Sequence, residues 1–408
     1  MIRNCLLLCF ICASVSLHAQ ESRSAVADSG EGARALWAEF MTRMLADYHE
    51  PVDEVDLTRK AVDLLAAESP AFAGIPKPRD YGSTPDAHRS AFHQYVIAFA
   101  LKASRRMDAT AVVEQAIQRL CERQLRFAQY IPASIQAQMA TLGAANLGMR
   151  IEVGEDGRFY CQPFLGEAAA LAGIEAGDEL IALDGVPLEG MNRWKLKVKL
   201  YGTDGSKAEV RVRQTTGRII TAQLTRRITG ALRVTVTSGI GGTTIRIPLF
   251  DGNTLPDLRA ALKQVKPGSP LTLDLRGNGG GEIPPAVDAA ALFIDGPRPL
   301  LLCKQQRRGQ PDVDLSSNEA MVPGFKRLSV LMDGGTASSA ELFIAILIEA
   351  PGLRVALSGA RTYGKDLWLE GATLKNGGGE LYLPTGAMVT KGGKRWSKGI
   401  EPTFGVKK

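Results

Sequence analysis

From Ala33 to about Gln138 apolar residues recur at three- and four-residue steps, as in Leu36, Phe40, Met44, Leu45 and Tyr48 and again over Ala111 to Tyr130. That period keeps one face of a helix apolar and predicts a helical region, with a loop where Pro, Gly and Ser cluster between Pro70 and Asp86. From about Gly143 the period shortens. Leu147 to Val153 and Glu209 to Arg213 alternate as strands do, and a short helix is expected near Asn192 to Leu200, closed by Gly202. From Arg233 onward apolar strands (Thr243 to Ile247, Leu271 to Leu275, Leu328 to Met332, Arg354 to Leu357) alternate with helices (Leu255 to Gln264, Ala286 to Phe293, Ser338 to Glu349). That order predicts a layered α/β core around a largely parallel sheet.

A chain of 408 residues exceeds one hydrophobic core and should divide into two or three domains. Hydrophobic residues at 45% and charged residues at 23% are ordinary for a globular protein. The 49 basic and 43 acidic residues leave +6, spread without a lysine or arginine block, so no nucleic-acid partner is expected.

The first residues change the picture. A positive start at Arg3, an apolar run from Cys5 to Leu17 and a small residue at Ala19 read as a secretory signal over residues 1–19, too short to span a bilayer. Neither Cys9 nor Cys12 follows the small residue that a lipid anchor needs, and no stable membrane anchor is expected. Cleavage would remove Arg3, lowering the charge from +6 to +5, and would leave Cys121, Cys161 and Cys303. These are too few and too scattered for a disulfide framework or a zinc site. Export across an inner membrane to the periplasm is the location expected.

All four histidines (His18, His49, His88, His93) precede residue 94. His88 and His93 lie five apart in what reads as an exposed loop-to-helix stretch, the wrong spacing for zinc ligands on one helix face. No metal or other cofactor is expected. A nucleophile in the α/β core must find another base, and lysine is the usual substitute.

Three glycine-rich loops follow core strands. Arg276-Gly-Asn-Gly-Gly-Gly-Glu282 lacks the last glycine of a dinucleotide fingerprint. Gly359 to Lys365 has the spacing of a phosphate-binding loop, but Asp366 replaces the Ser or Thr that binds magnesium, and Leu367-Trp368-Leu369 reads as a strand rather than a helix. The third loop, Asp333 to Glu341, places Ser338 at a strand-to-helix turn, facing unpaired N–H groups at the positive helix end. Taken alone, Ser338 with Glu341 three residues on is more simply a capping box.

The succession LDLRGNGGG, DGGTASSAE, GARTYGKD and GIEP resembles the carboxyl-terminal processing peptidases, or tail-specific proteases, over nearly all of the chain after the signal. The resemblance implies a crotonase-like or ClpP-like core, Ser338 as nucleophile and Lys365 as general base. It also implies an oxyanion hole from the N–H of Ser339 with that of Gly280 or Gly281. Lysine, ordinarily titrating near 10.4, acts as a base only when neutral, and apolar surroundings such as Tyr363, Leu367 and Trp368 would favour that form. Two departures stand out. The step from Ser338 to Lys365 is two positions longer than the family pattern, and Leu369 occupies the place of the family's orienting glutamine. Glu341, or Glu370 through a β-bulge, is the candidate to orient Lys365 instead.

Residues 143–228 resemble a PDZ domain, β-rich with short helices. Leu147-Gly148-Met149-Arg150 is similar to the loop and strand that take a peptide carboxyl end by strand addition. The expected organisation is α/β multi-domain: signal peptide 1–19, helical region 20–142, inserted PDZ domain 143–228 and serine peptidase core 229–408. The activity implied is endoproteolysis of unstructured or misfolded protein tails. The partners are substrates with free C-termini, with room for an activating adaptor protein. The contrasting expectation is a catalytically silent relative that binds peptides through its PDZ domain.

Overall fold

The computed structural model describes residues 30–67, 74–102, 108–154, 156–164, 166–228, 230–297 and 300–405. The expected signal peptide lies outside the described residues. The described residues up to Ala133 and from Arg233 onward form one compact unit, and those from Ser134 to Leu232 form a second.

Helices α1 (Glu31–Asp47), α2 (Glu54–Ala67), α3 (Pro85–Lys102) and α4 (Ala109–Arg123) precede a short strand, β1 (Gln129–Ile131). Helix α5 (Ala133–Ala140) leads into the second unit. That unit contains β2 (Met149–Val153), β3 (Phe159–Pro163), α6 (Ala168–Leu171), β4 (Glu179–Leu183), β5 (Val186–Pro187), α7 (Arg193–Leu200), β6 (Lys207–Arg213) and β7 (Ile219–Thr225). The chain then returns to the first unit. Its next elements are β8 (Thr235–Gly239), β9 (Gly242–Arg246), α8 (Thr254–Leu262), β10 (Leu271–Asp274), α9 (Ile283–Ala291), β11 (Leu300–Arg307), β12 (Val313–Ser317) and β13 (Arg327–Met332). Helix α10 (Ser339–Glu349), β14 (Arg354–Gly359), β15 (Leu367–Thr373), β16 (Glu380–Thr390) and β17 (Phe404–Gly405) complete it.

The α/β core is layered. Six strands in the order β17-β14-β13-β10-β9-β8 form a sheet that is parallel except for the antiparallel edge strand β8. Helix α10 explains its own position: every residue from Ser339 to Leu347 is buried, as expected of a helix apolar on all sides. It packs against α9, β14 and β16, between the parallel sheet and a second sheet in which β16 pairs with β1, β11 and β15.

The helical region covers that second sheet. Leu36, Trp37, Phe40, Met44, Val112, Val113 and Ile117 share a core with Leu374, Leu381 and Leu383. Leu45, expected on the buried stripe of α1, is 41% exposed. The expectation of helix as far as Tyr130 also fails, because α4 ends at Arg123 and β1 pairs antiparallel with β16, Tyr130 opposite Leu381. Pairing with a strand near the far end of the chain leaves no local period to read. His88 is likewise not a surface residue, and His93 is half-buried. Both lie on α3; His88 is buried with Nε2 2.9 Å from the Gly82 carbonyl oxygen, and His93 packs beside Gly30.

The second unit is an antiparallel sheet, β2-β3-β4-β6-β7, with β5 on β4 and a core including Leu147, Phe159, Leu180, Leu196 and Val210. Helix α7 starts where Asn192 Oδ1 accepts the Trp194 N–H as an N-cap.

Candidate active site

The three glycine-rich loops leave the carboxyl ends of three adjacent parallel strands, β10, β13 and β14, where open α/β sheets place their ligand sites. Hydrogen bonds tie them together. The Gly277 N–H donates to Asp333 Oδ1 at 2.8 Å and the Ala337 N–H to the Asn278 carbonyl at 2.9 Å, joining the first loop to the second. The Tyr363 N–H donates to the Thr336 carbonyl at 3.0 Å, joining the second to the third.

Ser338 sits at the turn into α10 with φ 58° and ψ −124°. A serine at positive φ is uncommon; the conformation costs about 1–3 kcal/mol and persists only where its surroundings hold it. Gly280 supplies part of that surrounding. With φ +102°, it lies so close that a Cβ would stand 2.8 Å from Ser338 Cβ and 3.0 Å from Ser339 N. Only glycine fits there. Its neighbour Gly281, φ +138°, is pressed against Phe250, whose carbonyl would lie 2.0 Å from an added Cβ.

As an oxyanion donor, Gly280 needs correction. Its N–H is spent on Asn278 Oδ1 at 2.9 Å, and Asn278, fully buried, donates from Nδ2 to the Ile247 carbonyl. Among the described residues, the N–H groups of Gly281 and Ser339 donate to no protein acceptor. Ser339 lies in the first turn of α10, where backbone N–H groups lack helical partners.

Glu341 joins the two candidate catalytic segments. It is fully buried on α10. Oε2 accepts the N–H groups of Ser338 (2.9 Å) and Lys365 (2.8 Å); Oε1 accepts the Gly364 N–H (2.7 Å) and the Thr362 hydroxyl (2.5 Å). Thr362 Oγ1 in turn accepts the Ile400 N–H at 2.7 Å, so its own proton is directed at Glu341. Burial raises the Glu341 carboxyl above its ordinary range, and the four donors work against that rise by favouring the charged form.

Lys365 is half-buried, with its ammonium 5.3 Å from the centroid of the Phe127 ring. Leu367 and Trp368 are buried nearby in sequence, but Tyr363 is 60% exposed. The aromatic group beside the lysine is therefore Phe127, from the turn after α4, a residue no core motif points to. Glu370 also needs correction. The bulge it would require is present between Trp368 and Leu369, but its carboxylate binds Arg307 and the Gln305 side chain on β11. Leu369, next to the bulge, is 7% exposed. Asp366, adjoining the lysine, pairs with Arg395 at 2.8 Å. Among the described residues no group of three His, Cys, Asp or Glu side chains converges to hold a metal ion.

In the second unit, Leu147 and Met149 are buried and Asn146 Oδ1 accepts the Gly148 N–H at 2.8 Å. Gly148, φ +77°, passes so close to the start of α6 that a Cβ would lie 2.8 Å from Ala168 N. Strand β2 forms one edge of its sheet, and Arg150 on it pairs with Glu152 at 2.6 Å.

Known proteins resemble this chain. The model of peptidase family S41 matches residues 242–406, which carry all three loops. The chain is 28% identical over 290 residues to the chloroplastic C-terminal processing peptidase of Tetradesmus obliquus, covering 64% of this chain and 61% of that protein. It is 28% identical over 263 residues to the carboxy-terminal processing protease CtpA of Bacillus subtilis, covering 63% and 54%. Residues 242–406 thus match peptidase family S41, and the chain is similar to carboxyl-terminal-processing peptidases. The solved photosystem II D1 C-terminal processing protease shares the fold, with a TM-score of 0.58 at 24% identity, over 87% of this chain and 93% of that one. The order of a helical N-terminal region, a β-rich unit and a layered α/β core matches the multidomain architecture of such peptidases with a PDZ insertion. The matches to the two curated relatives span about 61% and 54% of their lengths. No described helix is long and apolar enough to cross a membrane.

Proposed function

We infer that the protein is a serine endopeptidase in which Ser338 is the nucleophile and Lys365 the general base. One observation carries this reading. A strained serine at the positive end of a buried helix shares, through its own N–H, a single carboxylate with the backbone of the lysine segment. A plain N-cap needs neither the serine at positive φ nor the glycine fitted against it.

In this reading a neutral Lys365 takes the Ser338 hydroxyl proton as Oγ bonds to the scissile carbonyl carbon. The resulting oxyanion meets the N–H groups of Ser339 and Gly281, each such donor being worth roughly 10²–10³ in rate. The lysine returns the proton to the leaving amine, and water then releases the acyl group from Ser338. Gly280 shapes the loop rather than donating. Glu341 positions both segments, in the place of the glutamine that Leu369 replaces.

The substrates proposed are unstructured protein tails with free C-termini. Such a tail would add as a strand to β2 beside Leu147-Gly148-Met149-Arg150. Work on such tails in the periplasm, with or without an activating adaptor, follows from the expected secretion signal. The experiment is cleavage of unstructured polypeptides by the wild type, Ser338→Ala and Ser339→Ala. Only Ser338→Ala should abolish cutting. Loss in Ser339→Ala alone would move the nucleophile by one residue, and full activity in both would contradict a serine mechanism. The buried Leu369 favours a second reading, a silent peptide-binding relative, and absence of cleavage by the folded wild type would support it.

A further inference from the structure

Among the described residues only three non-glycine positions have positive φ: Phe127, Asp184 and Ser338. Asp184 precedes Gly185 in the tight turn between β4 and β5, where such a conformation is routine. Phe127, at φ +63°, has no such excuse, since a bulky side chain is disfavoured there and persists only where packing holds it. What the conformation achieves is visible at its ring. Lys365 Nζ lies 5.3 Å from the ring centroid and Arg126 Cζ 4.7 Å from it, with the Tyr363 ring 6.2 Å away. The helical region thus reaches the base through one aromatic side chain.

We propose that Phe127 is a positioning residue for Lys365, seating its ammonium in the resting enzyme and helping to set the pH at which the lysine can accept the Ser338 proton. The proposal rests on the reading of Lys365 as the base. An aromatic face attracts the ammonium and not the neutral amine, so the ring favours the protonated form. Burial against the ring favours the neutral form. A substitution that keeps the bulk and removes the ring's electrostatics separates the two effects.

Other charges bear on the lysine or its neighbours: Arg126 on the same loop, Glu341 on α10, Asp366 with Arg395, and His49 after α1 beside Glu50. Arg126 and Lys365 share the one ring, so each cation also bears on the other. A change confined to the Phe127 ring leaves all of these in place.

The test is the pH dependence of kcat/KM for full-length wild type, Phe127→Leu, Phe127→Trp and protein carrying 3,4,5-trifluorophenylalanine at position 127. The fluorinated residue keeps the shape and weakens the negative face, so it remains informative if Phe127→Leu fails to fold. Activity should rise with pH in every active form. The midpoint should move to lower pH by about half to one unit in the leucine and fluorinated proteins, and stay within about 0.3 unit in Phe127→Trp. The leucine plateau should also drop roughly three- to tenfold as the lysine loses its seat. An unchanged midpoint in the fluorinated protein overturns the proposal. Lys365→Arg tests the underlying reading separately: if it retains substantial activity, Lys365 is not the base, whatever Phe127 does.

Discussion

Ser338 and Lys365 donate their backbone N–H groups to the same atom, Glu341 Oε2, at 2.9 and 2.8 Å. The nucleophile turn and the lysine segment, separated in sequence by helix α10 and strand β14, are thereby held by one buried carboxylate.

Glu341→Gln should therefore damage both stability and activity despite its matching shape. An amide presents one oxygen where the carboxylate presents two, so its NH₂ must face one pair of donors. Losing two charge-assisted hydrogen bonds with their donors left buried should cost about 2–5 kcal/mol. Urea unfolding measures that loss, and a change under about 0.5 kcal/mol, the size of an ordinary surface substitution, would deny Glu341 its positioning role.

The strain at Ser338 makes an opposite-signed prediction. Ser338→Gly should be inactive yet more stable than the wild type by about 1 kcal/mol, since glycine adopts φ 58° without penalty. Ser338→Ala should be inactive with stability within about 2 kcal/mol of the wild type. A glycine variant less stable than the alanine variant would mean the turn is not strained.

Gly280→Ala should abolish activity by displacing Ser338, because the new methyl would lie 2.8 Å from Ser338 Cβ and 2.9 Å from the Ala337 carbonyl. Circular dichroism should show the fold retained, with stability lower by roughly 1–3 kcal/mol. Wild-type activity would contradict the packing described.

Much of this site was legible in the residues. Apolar runs ending in glycine-rich loops marked β10 and β13 and the approach to Lys365, and an all-apolar helix after Ser338 required burial. Other parts were not, for physical reasons. Phe127 approaches Lys365 only because α4 stops at Arg123 and the chain turns into β1, which pairs with a distant strand. Glu370 lost its candidate role to Arg307, a partner on another strand. That Gly280 spends its N–H on Asn278 depends on loop geometry that spacing does not encode.

The histidines predict a pH effect on folding that is separate from catalysis. Burial lowers the pKa values of His49 and His93, with Arg395 and Arg126 adding to the effect at His49 and Arg34 at His93. The neutral imidazoles are favoured in the folded state, so the unfolded chain takes up protons first as pH falls. Stability is complete above the unfolded value near 6.5 and declines as pH falls from there through the folded values. Urea unfolding between pH 7.5 and 5 should show that decline, and His49→Gln with His93→Gln should flatten it. A slope unchanged in the double variant would contradict the assignment.

The most direct test of the Ser338–Lys365 pair is labelling of the folded full-length protein with a fluorophosphonate probe, located by peptide mass mapping. One label per chain on Ser338 is the expected result, lost in both Ser338→Ala and Lys365→Arg. A label on another residue, or undiminished labelling of Ser338 in Lys365→Arg, would contradict it.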